Sequence, residues 1–493
     1  MQLIMQGHQH RFELENVIRL FLPQEKVRTG EEPAAAGEPV ALARLEKRAA
    51  VTLLTCRLTV GNYDRTREAE VDNVHPAYET ECEFLLADCL YRLLEEWTGI
   101  RPPWGLVTGV RPVKLLRRLT REMGEEKAVQ ELRDRLLVSP EKRDLCRCTL
   151  HYEDPLLALS RPNSYSLYVS IPFCPTRCAY CSFVSHTVER AGRLIEPYVE
   201  RLVEELAVTG QIAKDLGLRL ETVYFGGGTP TSLTAAQLSV LFRAVEDHFD
   251  LSCLREYTVE AGRPDTVTED KLRTIKAAGA TRISINPQTL REDVLRAIGR
   301  RHTVAQFYDA FDLARRCGHT NINTDLIAGL TRDDPAGFAE TLEGILALAP
   351  ESVTVHTLSI KRASRLVTQK ETATAGRGAA EMVAFAAKRL PQAGYHPYYL
   401  YRQSRTADNQ ENVGWARPGR EGLYNVYIMD ETHTILACGA GAVTKLKEPG
   451  GEYLERVFNF KFPYEYNARF EEMLRRKERI ATFYGRYTEC RED

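Results

Sequence analysis

Three cysteines in the middle of the chain carry the strongest chemical signal. The stretch 166–183 reads SLYVSIPFCPTRCAYCSF and holds Cys174, Cys178 and Cys181 as a C-x3-C-x2-C triplet. Thiolates this close in sequence can converge on one inorganic centre, and a count of three is informative. Structural zinc sites and ordinary iron–sulfur clusters use four protein ligands. Three thiolates on a four-iron, four-sulfur cluster leave one iron open, and an open metal position is where a small molecule binds and reacts. Three reduced thiols, or a zinc site with a distant fourth ligand, are the plainer readings of the same residues.

The triplet follows 167–171, a short apolar β-favouring run that ends at Pro172. It is the first of six such runs, at 167–171, 222–225, 257–260, 282–285, 321–327 and 352–358. Between them lie amphipathic stretches at 195–216, 235–249, 269–278, 305–317 and 336–348. This alternation predicts an α/β fold, a parallel sheet with right-handed crossovers. The spacing fits a partial (βα)6 TIM-like barrel better than a complete eight-stranded one. Chemistry in such barrels gathers at the carboxyl ends of the strands.

Polar and glycine-rich groups recur at those ends. The cysteines follow the first run, and the second leads into Gly226-Gly227-Gly228-Thr229-Pro230-Thr231, where missing side chains let backbone approach a ligand. The spacing and lysine of a phosphate-binding P-loop are absent there. The third run ends at Glu260, Gln288 follows the fourth, Asp325 lies in the fifth and His356 in the sixth. Each alone reads as a satisfied structural group; their recurrence at one end of every run reads as a site.

The rest of the composition sets bounds. The 493 residues suffice for two or three domains, and a net charge of −2 speaks mildly against a protein dominated by nucleic-acid contacts. No apolar run is long enough for a bilayer, and the N-terminus lacks a signal-peptide pattern. The other nine of the twelve cysteines are scattered and read as small buried hydrophobes in a reducing compartment; Cys146 and Cys148 form a C-x-C with no partner cluster nearby. A cytoplasmic protein, monomeric, is expected. An α+β accessory domain is expected over 1–155, with strands at 2–5 and 50–58, a helix at 81–97, a polar loop at 28–39 and a packed connector with a basic helix face at 102–119. The core spans 156–360. Beyond it, 361–493 is expected as a mixed α/β cover that excludes water and oxygen, with a helix at 379–390, an aromatic strand at 396–402, a hairpin over 424–445 and a charged terminal helix at 470–484. Gly439 to Ala442 (GAGA) lacks the setting of a dinucleotide fingerprint.

The motifs YVSIPFC-P-x2-C-x-Y-C-x-F, YFGGGTPT, VEAGRPD, RISINPQT with GRRH, and NTDLIAGL occur in order over roughly 166–358. Together they resemble the radical S-adenosylmethionine (SAM) superfamily and, within it, the oxygen-independent coproporphyrinogen III oxidase family. The phrases VEAGRPDT, VHTLSIKRASRL and ENVGWARPG are similar to its clostridial and bacillus-type paralogues. The resemblance implies a [4Fe–4S] cluster on Cys174, Cys178 and Cys181 whose open iron binds SAM. It implies SAM contacts from Tyr168, Tyr180, Gly227, Gly228, Thr229, Glu260, Gln288, Arg300 and Asp325. It also implies reductive cleavage of SAM to a 5′-deoxyadenosyl radical, oxidative decarboxylation of coproporphyrinogen III to protoporphyrinogen IX, and an unidentified low-potential electron donor. A substrate with four propionates needs cations beside flat walls, for which Arg301, His302, Lys361, Arg362, Arg365 and Arg402 are candidates, with Tyr398, Tyr399 and Trp415. Two positions depart from the family pattern. Ser170 stands where the well-studied enzymes have histidine and Phe183 where they have a fourth cysteine, an aromatic also present in relatives that resemble heme chaperones. A heme carrier and a radical SAM enzyme acting on another tetrapyrrole are the alternatives.

Overall fold

The computed structural model describes residues 1–23, 25–30, 37–181, 186–359, 376, 378–403 and 406–488. One compact unit is built from Met1–Cys146 and another from Arg147–Arg402 with Thr406–Asp493. No described helix is long and apolar enough to cross a membrane.

The first unit holds a five-stranded sheet in the order Arg28–Thr29, Gln2–Gln6, Val40–Lys47, Val51–Val60, Tyr63–Asp72. Alternation in Val51–Val60 buries Thr52, Leu54, Cys56 and Leu58 on one face. The apolar sides of helices Arg11–Phe21 and Tyr78–Thr98 close a core over that face. Tyr63–Asp72 gives no strand signal in the sequence because it is an almost wholly exposed edge, YDRTREAEVD, with no apolar face to repeat. In the expected connector, helix Pro112–Met123 buries Val113, Leu116 and Leu119.

In the second unit the six expected runs form six strands: β1 Ser164–Ile171, β2 Arg219–Gly227, β3 Glu256–Glu260, β4 Arg282–Ser284, β5 Ile322–Ala328 and β6 Ser352–Thr357. They are joined in parallel register, each next to the last. The intervening helices start where the sequence places caps. Thr234 with Gln237 and Thr303 with Gln306 form capping boxes, and Asp334 caps a helix opened by Pro335.

The segment after β6 adds β7 His396–Tyr401, β8 Asn412–Ala416, β9 Thr434–Cys438, β10 Val443–Lys447 and β11 Leu454–Phe458. These strands do not form a layer of their own. Among the described residues they extend the same sheet at both edges, in the order β7-β8-β6-β5-β4-β3-β2-β1-β9-β10-β11. β9 lies parallel to β1, so the cysteine-bearing strand is central rather than at an edge. The expected hairpin over 424–445 is corrected in its first half: YNVYIM lies in the helix Leu423–Asp430. The cause is tertiary. The carboxylate of Glu256 accepts the first helical amides, from Leu423 at 2.7 Å and Tyr424 at 3.1 Å, which satisfies a helix N-terminus that no local residue caps.

Candidate functional site

Two-residue alternation on six parallel strands sorts the side chains. Leu167, Val169 and Ile171 of β1, Val223 and Phe225 of β2 and Val259 of β3 are wholly buried against the helices. The intervening residues point to the opposite face, and the register aligns them: Tyr168 with Tyr224, Tyr224 with Thr258, Glu260 with Ser284, Ser284 with Asn323 and Asp325 with Thr354. A continuous polar and aromatic face therefore runs across the sheet and ends at the carboxyl edge.

At that edge the cysteine loop leaves β1. Phe173–Cys174 pairs with His186–Thr187, and the His186 amide donates to the Pro172 carbonyl at 2.9 Å, so the loop is pinned at both ends. Cys174 and Cys178 are buried, 9% and 8% exposed, and Cys181 is partly exposed. All eleven described cysteines are free thiols. The glycine loop after β2 packs directly on this segment, with the Gly228 and Thr229 amides donating to the carbonyls of Ile171 and Phe173, each at 2.8 Å. The Thr229 hydroxyl donates to Cys174 Sγ at 3.4 Å. A Cβ on Gly228 would lie 2.7 Å from the Phe173 carbonyl oxygen and 3.0 Å from Cys174 Sγ, and Gly227 sits at φ +104°. Only glycine fits here, because backbone and a thiol occupy the space a side chain would need.

The VEAGRPD stretch contributes a residue that the sequence reading left unassigned. Arg263, 3% exposed, is ion-paired with Asp265 at 3.0 Å. It donates to the Thr176 carbonyl and hydroxyl at 3.3 and 3.1 Å and to Cys178 Sγ at 3.8 Å. A buried cation thus holds the stretch between the first two cysteines.

The remaining SAM candidates differ in what holds them. Glu260 accepts a hydrogen bond from Tyr224, and burial pushes its carboxyl up to about 7. Asp325 accepts from Asn286 at 2.8 Å and Asn323 at 2.7 Å, and His356 approaches to 3.8 Å. Burial works to raise its pKa, but hydrogen bonding and charge from His356 outweigh it, so Asp325 lies below its ordinary value. Gln288 adopts a left-handed φ of +70°, donates its amide to the Asp325 carbonyl at 3.0 Å and leaves its buried Oε1 without a partner. Arg300 donates to the Asn286 carbonyl at 2.6 Å, the Gly262 carbonyl at 3.4 Å and the Tyr180 hydroxyl at 3.3 Å. It ties the ends of β3 and β4 to the cysteine loop. Tyr168 stacks on Tyr224 and Tyr424, whose own rings are 4.3 Å apart. Tyr224 and Tyr424 are not legible as site residues in the sequence, since a tyrosine in a strand or an apolar run carries no distinctive signal.

Of the substrate candidates, Arg301, His302 and Arg402 lie among the described residues. Arg301 is exposed and His302 buried on the loop beside the cysteine segment, where burial and then Arg300 and Arg263 lower the imidazole pKa to about 3. Arg402 is 6% exposed, and burial lowers its guanidinium to about 10. Lys361, Arg362 and Arg365 lie outside the described residues. Tyr398 and Tyr399 pack with Ala416, Val426 and Tyr427 in a core cluster, and Trp415 is equally buried, so these aromatics are core residues and not a flat wall facing a cleft. Tyr398 also meets Arg282, a buried guanidinium that donates to Ser352 at 2.7 Å and to the Arg420 carbonyl at 2.9 Å.

Known proteins match this arrangement. Residues 168–344 match the radical SAM superfamily. The chain is 37% identical to the oxygen-independent coproporphyrinogen-III oxidase-like protein HemZ of Bacillus subtilis, over 96% of each chain. It is 32% identical to the heme chaperone HemW of Lactococcus lactis, over 58% of this chain and 70% of that one. The solved structure of coproporphyrinogen III oxidase (HemN) from Escherichia coli superposes with a TM-score of 0.51 at 23% identity, covering 66% of this chain and 74% of that one, a likeness of fold. A match along nearly the whole length of one relative, with the superfamily match centred on the cysteine strand and its successors, leads to one assignment: the chain is a radical SAM protein of the oxygen-independent coproporphyrinogen III oxidase-like family.

Proposed function

We propose that the protein is a radical SAM oxidative decarboxylase that converts two of the four propionates of coproporphyrinogen III to vinyl groups, giving protoporphyrinogen IX. The observation that carries this reading is the carboxyl edge of the sheet, where three thiols, a side-chain-free glycine loop and two carboxylates of opposite pKa shift meet. Cys174, Cys178 and Cys181 would hold a [4Fe–4S] cluster; their soft donor set and the close backbone packing of Gly228 on Cys174 fit that group. Cluster and SAM together supply a reductively generated carbon radical able to abstract hydrogen from an unactivated side chain.

The chain's own residues bind and orient. An ammonium offers only donors, so the glycine loop would meet it with carbonyls, its Gly228 and Thr229 amides being committed to β1 and the segment after it. Glu260 and Asp325 supply acceptors for an ammonium and for ribose hydroxyls. The unpartnered Oε1 of Gln288 is an acceptor held in place by a strained backbone. Tyr168, stacked within its tyrosine trio, offers a flat surface to an adenine.

A heme carrier of the same family is the second reading, and one observation favours it. Ser170, in place of the family histidine, is buried and donates its hydroxyl to the Ala440 carbonyl at 2.9 Å, so it is committed to the fold and is no ready proton donor. An anaerobic assay of the reconstituted, reduced protein with SAM and coproporphyrinogen III, beside Cys178→Ala, separates the two. Protoporphyrinogen with 5′-deoxyadenosine, absent from the variant, supports the decarboxylase. Stoichiometric heme capture with no change in the porphyrinogen supports the carrier.

A further inference from the structure

A cleft of about 1220 Å³ lies on the second unit, and its wall includes Pro175, Thr176 and Arg177, the residues between the first two cysteines. Its cations are Arg177, Arg190, Arg296, Arg301 and Lys461, with Arg300 turned inward, against the carboxylates Glu189 and Glu292. Glu292 is partly engaged, accepting the Val304 amide at 2.7 Å. Arg190, Arg296, Arg301 and Lys461 are exposed, and among the described residues none of the four has a carboxylate partner. Elsewhere on the chain arginines pair freely with acids, as Arg291 does with Asp293 and Asp334 and Arg389 with Glu343. In a chain of net charge −2, unpaired cations concentrated around one cleft make a local positive field.

We propose that this cleft is the docking surface for a small electron-carrier protein with a carboxylate-rich face. The inference rests on the radical SAM reading above. The argument joins charge to place. Electron tunnelling falls exponentially with distance, so a donor must seat close to the cluster ligands, and the cleft wall carries Pro175, Thr176 and Arg177, which lie between Cys174 and Cys178. The segment is also rigidly held, since Arg263 fixes Thr176 and the Ala179 amide donates to the Ile298 carbonyl at 2.9 Å. In such an encounter the partner's reduced centre would give up one electron, and the cluster that Cys174, Cys178 and Cys181 would hold would take it up. Cations at the rim steer such an encounter and make its rate depend on salt.

The test uses the full reconstituted chain and the triple variant R190E/R296E/K461E, whose side chains are exposed and take no part in the proposed SAM site. Circular dichroism and iron content first establish that variant and parent are equally folded and loaded. Stopped-flow spectroscopy then follows cluster reduction by a reduced acidic bacterial ferredoxin and, separately, by photoreduced deazaflavin. The expected result is a fall of about ten-fold or more in the ferredoxin rate constant, with loss of its salt dependence and an unchanged deazaflavin rate. An unchanged ferredoxin rate overturns the proposal. So does loss of coproporphyrin binding with ferredoxin reduction intact, which would make the cleft a tetrapyrrole carboxylate site. If deazaflavin finds no reducible cluster in the parent protein, the radical SAM reading itself fails and the docking inference falls with it.

Discussion

Replacing Lys477 with methionine should destabilise the second unit far more than a change on a charged terminal helix would suggest. EEMLRRKER reads as a solvated face, yet Lys477 is 1% exposed and its Nζ lies 2.8 Å from the wholly buried Glu205. Burial alone would strip the charge from Lys477, but Glu205 outweighs that cost and its pKa is raised. Glu205 also accepts from the Gly439 amide at 2.7 Å, Asn459 at 2.7 Å and Tyr466 at 2.6 Å. Those neutral donors would remain in Lys477→Met, but the cation beside the carboxylate would be gone. Removing one member of a buried pair costs about 3–5 kcal/mol, a large share of the roughly 5–15 kcal/mol that holds a domain together. The loss reaches the site, because the same network holds the Ala440 amide on Tyr198 at 2.8 Å and Tyr198 on the Ser170 carbonyl at 2.7 Å, at the end of β1. Urea unfolding followed by far-UV circular dichroism measures the cost. The double variant Glu205→Gln/Lys477→Met should recover a substantial part of it, since no charge is then buried alone. A loss below about 1 kcal/mol in Lys477→Met would refute the reasoning, because it would mean that water or another group neutralises Glu205.

Other expectations address the site directly. Gly228→Ala should keep the fold but lower iron incorporation, since its Cβ must displace backbone and the Cys174 sulfur; iron and sulfide analysis against circular dichroism checks this. Arg263→Lys should shift the cluster reduction potential downward and increase its oxygen lability, because a hydrogen bond to Cys178 Sγ and the fork holding Thr176 are lost; an EPR-monitored redox titration equal to the parent would count against it. With Glu260 titrating near 7, its ionised fraction rises from about 0.1 at pH 6 to about 0.9 at pH 8. SAM affinity measured by calorimetry should rise with pH over that window, and Glu260→Gln should flatten the profile. The same raised pKa means that ionising Glu260 costs stability as pH climbs from the ordinary carboxylate range through about 7, so the parent should be relatively more stable than Glu260→Gln on the acidic side.

What the sequence by itself determined is what local pattern can carry. The six strands lie where alternation and apolar runs place them, and the helix starts at Thr234, Thr303 and Asp334 follow from short capping signals. Strand polarity then assigns the cysteines, Glu260, Gln288 and Asp325 to one edge, because parallel strands repeat their direction. Tertiary structure decided what depends on register and on distant neighbours. Arg263 and Cys178 are 85 residues apart, and only the crossovers bring the guanidinium to the sulfur. The tyrosine trio requires the pairing of β1 with β2 and the docking of a helix that sequence alone reads as a strand. That helix exists because Glu256, 168 residues away from Tyr424, accepts its first amides. The C-terminal strands became sheet edges for the same reason: strand propensity is local, but the partner that completes a ladder is chosen by the whole fold.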